Sequence, residues 1–341
     1  MTWERENSRK HSSGIRRVAA VATLASLGLF TGFAVADAPK STGGPALRAS
    51  AGESSAAESK DPQPSPPQAG QETFPSADLA AHALVNALHK DDQAALLKIL
   101  GGDAKSIVSS GDDAEDKADR ASFVAKFKRM HRFVMEPDGT TTTLYIGAEN
   151  WPTPIPLVHK GDSWYFDTAA GKDEILYRRV GKNELTAIQV CGELVDAEKE
   201  YYPKPHDGDA NQYAQKLYSD PGKHNGLYWQ ASTGEKPSPI GPLVAQAGGD
   251  GDSASQQQPF QGYYFQILKG EGRDQSYVVD GKMTRGFAFV AYPAEYRSSG
   301  VMTFVVNQDG VVYEKDLGPK TAEIAKKLTR YDRDASWRKA D

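Results

Sequence analysis

Apolar residues recur at helical spacing at the start of the folded part of the chain, and at strand spacing further on. After Phe74, Leu79, Ala83, Leu84, Ala87 and Leu88 form one stripe behind Pro75-Ser76 and Asp78, which predicts an amphipathic helix. Leu96, Leu97, Ile99 and Leu100 predict a second, shorter helix, with Asp91 or Asp92 as its cap and Gly101-Gly102 as its end. An acidic loop, SSGDDAEDKADR, precedes Phe123, Phe127 and Met130, whose spacing predicts a third helix. From Thr140 apolar and polar residues alternate in TTTTLYI, IPLVH and SWYFD. The turn Lys160-Gly161-Asp162 joins the last two as a β-hairpin.

The stretch from Phe166 to Tyr202 reads as two helices divided at Gly181. The second is expected to present Leu185, Ile188, Val190 or Cys191, Val195 and Tyr202 on one face, with Cys191 buried as a small hydrophobe. Residues 203–261 read as a connection, with a short helix over 211–218 and a surface loop in AGGDGDSASQQQP. GYYFQILKG, SYVV, FAFVAY, VMTFVV and VVYEKDL then alternate as strands around Asp280-Gly281 and Asp309-Gly310 turns, before a helix over 321–328. The fold class is α+β: N-terminal helices with an antiparallel sheet over 74–202, then a second antiparallel-sheet α+β region over 203–341. The order of the first region, three short helices and then a curved sheet, resembles the cone of nuclear-transport-factor-2-like proteins.

The residues ahead of the helices change the picture from a domain to an exported domain. Arg5, Arg9, Lys10, Arg16 and Arg17 precede the apolar run VAAVATLASLGLFTGFAV and the small-residue ending Ala34-Val35-Ala36. That order predicts a signal peptide over 1–36, cleaved after Ala36, and a periplasmic or secreted location; the alternative is an uncleaved anchor. Residues 37–73, rich in Pro, Ser, Gly and Ala, read as a disordered linker. Cleavage would remove five basic and two acidic side chains, taking the formal net charge from −5 to −8. An acidic chain without a basic stripe argues against nucleic acid as a partner, and no stable membrane span is expected once the signal is gone.

Candidate chemistry is sparse. The chain has no nucleophile elbow, phosphate loop or dinucleotide fingerprint, and its seven histidines show no metal-ligand spacing, so neither a cofactor nor a metal is expected. His206-Asp207-Gly208-Asp209-Ala210-Asn211 has the alternating oxygens of a calcium loop without its later ligands. One charge cluster stands out as a candidate anion site: Asp167, Lys172, Asp173, Glu174, Arg178 and Arg179 around a helix start expected at Gly171, where free amides would attract a carboxylate or phosphate. Glu174 and Arg178, four apart, would equally form a surface ion pair. Tyr228-Trp229, Tyr263-Tyr264 and Tyr292 to Tyr296 would line a groove or fill sheet faces.

WPTPIPLV, WYFDTAAGKDEILYRRVGKNELTAIQVC, PGKHNGLYW, SPIGPLV, GYYFQIL, YPAEY and GVMTFVVNQDGVVYEKDLG resemble the domain-of-unknown-function 2950 family of exported bacterial proteins, over nearly all of Phe74 to Trp337. The resemblance implies an envelope or secreted location and transfers no catalytic residue. The expected role is a non-catalytic envelope module that binds a small ligand, a wall polymer or a protein partner. The alternative is an envelope hydrolase built on carboxylates such as Asp167 and Glu174.

Overall fold

The Ser76 hydroxyl accepts the Leu79 amide at 3.1 Å and starts helix α1 (Ala77–His89), whose buried face is Ala80, Ala81, Leu84, Val85, Ala87 and Leu88. Leu79, expected on that face, is half exposed. In the computed structural model, residues 64–109, 113–208, 211–248 and 257–340 are described. The signal segment, the linker as far as residue 63 and most of the Gly/Asp/Gln-rich loop lie outside them.

Asp92 caps α2 (Gln93–Leu100) through the Ala95 amide, while Asp91 takes a left-handed conformation and turns its carboxylate to Arg120. A short turn leads into α3 (Lys105–Val108). Helix α4 (Asp113–Arg129) begins inside the stretch expected as an acidic loop, where Ala114, Glu115, Lys117 and Ala118 are all good helix formers.

Strands β1 (His131–Met135), β2 (Thr141–Ile146), β3 (Trp151–Pro152), β4 (Leu157–Lys160) and β5 (Ser163–Phe166) make an antiparallel sheet in the order β1-β2-β4-β5, with β3 also on β2. The β4–β5 hairpin closes with Lys160 opposite Ser163 around Gly161, at φ 62°. This sheet, α1, α2, α3 and α4 enclose a first core that includes Phe74, Leu96, Phe123, Leu144 and Phe166.

Helix α5 (Thr168–Tyr201) is one continuous element of 34 residues, not two helices divided at Gly181. It starts at Thr168 and not at Gly171, because Asp167 accepts the Ala170 amide and caps it. Gly171 lies in its first turn, where an added Cβ would stand 2.6 Å from Ile155 Cγ1. The face buried downstream is Ala187, Val190, Cys191, Leu194, Val195, Ala197, Glu198 and Tyr201. Leu185, expected on that face, is 67% exposed.

Beyond α5 the chain wraps irregularly. No helix forms over 211–218, because the Tyr213 and Ala214 amides bond outward, to Met283 O and the Glu198 carboxylate. After α6 (Pro242–Gln246), β6 (Tyr263–Leu268) enters a second antiparallel sheet. Two small hairpins follow, β7 (Gly270–Glu271) with β8 (Gln275–Ser276) and β9 (Val278–Val279) with β10 (Lys282–Met283); SYVV therefore lies outside the large sheet. With β11 (Ala288–Pro293), β12 (Met302–Asn307), β13 (Tyr313–Asp316) and β14 (Arg338–Lys339), the second sheet has the order β14-β13-β12-β11-β6. All six residues of β11 are buried, because α5 packs on β11 and β12 and α7 (Thr321–Ala325) packs on β11. Among the described residues, no helix is long and apolar enough to cross a membrane.

Candidate functional site

The charge cluster read from the sequence is spread along α5. Asp167 is buried at the N-terminus, its Oδ1 on the Ala170 amide and its Oδ2 on the Ser65 amide at 2.8 Å, so a resident carboxylate holds the position an anion would take. Ser65 belongs to the last part of the expected linker. That part lies strapped on the fold: Tyr165 donates to Ser65 O, and Gln71 donates to Ile99 O and Phe166 O. Arg178 is eleven residues on, about 16 Å along the axis. It pairs with Glu174 at 2.7 Å, donates to Pro152 O at 2.8 Å and lies over the Trp151 ring. Lys172, Asp173 and Arg179 make no ion pair among the described residues. Thus Glu174 and Arg178 meet, and Asp167 stands apart from both.

A cavity opens instead in the first core. Its walls are Leu84 and Leu88 of α1, Leu96 and Leu100 of α2, Ile107 and Val108 of α3, Phe123 of α4, and Ile155 and Phe166 from the sheet side; its volume is about 60 Å³. Asp116, Asp119, Arg120, Thr153 and Pro154 add the polar and rim positions. The Arg120 side chain is 7% exposed: its guanidinium pairs with Asp91, donates to Val108 O at 2.7 Å and lies 3.9 Å from Asp116. Its charge is therefore met within the protein. Thr153 differs. Its amide is tied to Leu144 O at 2.8 Å, yet its buried hydroxyl oxygen has no partner. An unpaired buried hydroxyl costs about 1–3 kcal/mol.

Sequence reading missed this site because its polar members look like parts of other features. Arg120 lay in the expected acidic loop, although its spacing to Phe123 and Phe127 (i, i+3, i+7) places an arginine on an apolar helix face. Thr153 sat inside WPTPIPLV as one polar residue among prolines.

A second polar cluster closes the end of α5. His206 stacks on Tyr201 with centroids 3.7 Å apart, and its Nε2 lies 3.1 Å from Tyr201 O; burial lowers its pKa. His224 pairs with Glu235 at 2.8 Å and packs against Trp229, and Asp207 accepts the His224 amide. Two members of the suspected calcium loop are thus committed to packing, and Asp209 and Ala210 lie outside the described residues. The tyrosine pairs fill the fold: Tyr263 is fully buried with its hydroxyl on Met302 O, and Tyr264 packs on Tyr292.

No curated protein and no solved structure matches the chain. A family model does, over residues 71–340, covering both sheets, α5 and every residue of the cavity. The chain belongs to the family described as Protein of unknown function (DUF2950).

Proposed function

We propose that the protein is an exported, non-catalytic binding module that takes a small, uncharged, mainly apolar group into the cavity of its first core. The single observation that carries this reading is the mainly apolar cavity with the buried, partnerless Thr153 hydroxyl among its lining residues, beside Asp116, Asp119 and Arg120; a ligand oxygen or amide reaching that hydroxyl would supply the missing hydrogen bond. Arg120, neutralised by Asp91 and Asp116, gives no net pull on an anion. Asp167 and Glu174, the carboxylates of a hydrolytic reading, are engaged as a helix cap and an ion pair.

The test is a thermal-shift series on the full chain with small cyclic alcohols and ketones against the matching hydrocarbons. A ligand at a hundred times its Kd raises stability by about 2.7 kcal/mol. Thr153→Val should itself stabilise the unliganded protein by about 1 kcal/mol and abolish the advantage of alcohol over hydrocarbon. Val108→Phe, which fills the cavity, should abolish both responses. No response in the parent, or a response that survives Val108→Phe, would contradict the proposal.

Export rests on the order of charges, apolar run and Ala34-Val35-Ala36 in residues 1–36. Intact mass from an envelope fraction should show a chain beginning at Asp37 or Ala38, whereas a mass retaining Met1 would mean an anchored protein.

A further inference from the structure

Three side chains distant in sequence meet at the far end of the α1–α4 pair. Asp78 and His82 stand one turn apart on α1, and His131, the first residue of β1, joins them; one ligand-type atom from each lies within 4.8 Å of the others. Asp78 Oδ1 and His82 Nε2 are 3.8 Å apart, too far for a hydrogen bond. Two donors bound to one tetrahedral ion at about 2.0–2.2 Å are themselves separated by about 3.3 Å, so a small side-chain adjustment closes the pair on a metal.

A second observation points the same way. His131 Nδ1 lies 3.1 Å from Phe127 O. A carbonyl only accepts, so Nδ1 carries the proton and Nε2 keeps its lone pair, which is how a backbone carbonyl fixes the tautomer of a metal-ligating histidine. The same phenylalanine orients both imidazoles: His131 stacks on its ring at 3.9 Å and 7°, and His82 meets it edge-on at 5.4 Å. Two imidazoles and one carboxylate suit a borderline transition ion, above all zinc, whereas calcium and magnesium prefer oxygen donors throughout.

We infer that Asp78, His82 and His131 form a zinc site with three protein ligands. All three residues are exposed, so water or a ligand group completes the coordination. The site shares no residue with the cavity: Asp78, His82 and His131 are not among its lining residues, and Arg120, at the cavity rim, stands seven residues from Phe127 on α4, about 10 Å along the helix.

Calorimetric titration of the chelator-treated full chain with zinc chloride tests this. The parent should bind one ion per chain, and His82→Ala and His131→Ala should each weaken binding at least about tenfold. Asp78→Asn, which keeps size and removes charge, should weaken it in the same direction. His89→Ala, an exposed histidine on the same helix, should bind as the parent does. Cobalt loading should give a visible absorption band that the His82→Ala/His131→Ala double variant lacks. Parent-like zinc binding by that double variant, or calcium binding as tight as zinc, would overturn the inference.

Discussion

Glu198 sits on the buried face of α5 with one carboxylate oxygen on the Ala214 amide at 2.8 Å and the other without a partner. Loss of water raises its pKa well above the glutamate range, with the Ala214 amide pulling weakly the other way. The folded state therefore holds this proton more tightly than the unfolded chain. Its contribution to stability is lost as pH rises above the ordinary glutamate pKa towards the raised folded value. Glu198→Gln keeps the size and an acceptor for Ala214. The variant should be more stable than the parent near neutral pH, with the gap closing below about pH 3, where the carboxyl is protonated in both states. Urea melts across that range check this; parallel profiles for the two proteins would mean that Glu198 does not set the slope. Cys191, on the same face, is fully buried and its thiol is pushed up to about 12, so it behaves as a core hydrophobe.

Helix α5 is tied to two cores by different residues. Towards its start, Ile175 packs on the first core and Arg178 reaches Pro152 O; further on, Asn183 donates to Ser299 O and Glu184 accepts the Val301 and Met302 amides. Gly181 lies between, and an added Cβ there would meet nothing within 4 Å. Gly181→Ala should therefore raise stability by about 0.5–1 kcal/mol through helix propensity alone. Chemical denaturation measures the effect, and a loss of stability would mean a break in the helix at that point. The elements with clean periodicity or local turn chemistry were legible in the sequence, including α1, α2, the β4–β5 hairpin and β6, β11, β12 and β13 of the second sheet, but not its edge strand β14 in the polar C-terminal stretch. The joins were not. A mid-helix glycine looks like a boundary when the partners that hold both flanks lie far away in sequence, and the amides of 213 and 214 were drawn outward by Met283 and Glu198. The candidate sites were least legible for the same reason. Thr153 becomes significant only when α1, α2 and α4 close over it, and His82 meets His131 only across the fold.

For the whole molecule, two hydrophobic cores share one long helix, and the cavity lies within the first. The second core is dominated by fully buried residues such as Tyr263, Phe265, Phe287, Phe289 and Phe304. The first leaves room at a place where helices meet sheet, with the partnerless Thr153 hydroxyl among the residues that line it, whereas the partnerless Glu198, Trp229 and Thr303 atoms of the second core lie away from that cavity. Natural proteins leave few buried polar groups unpaired, and a binding site is one reason for them to do so. The measurement that tests this most directly is a crystal structure of the protein soaked with the alcohol that stabilises it most. The account predicts the alcohol between Leu84, Leu96 and Phe123, with its oxygen about 2.8 Å from Thr153 Oγ1. An empty cavity, or the alcohol bound only elsewhere, would contradict it.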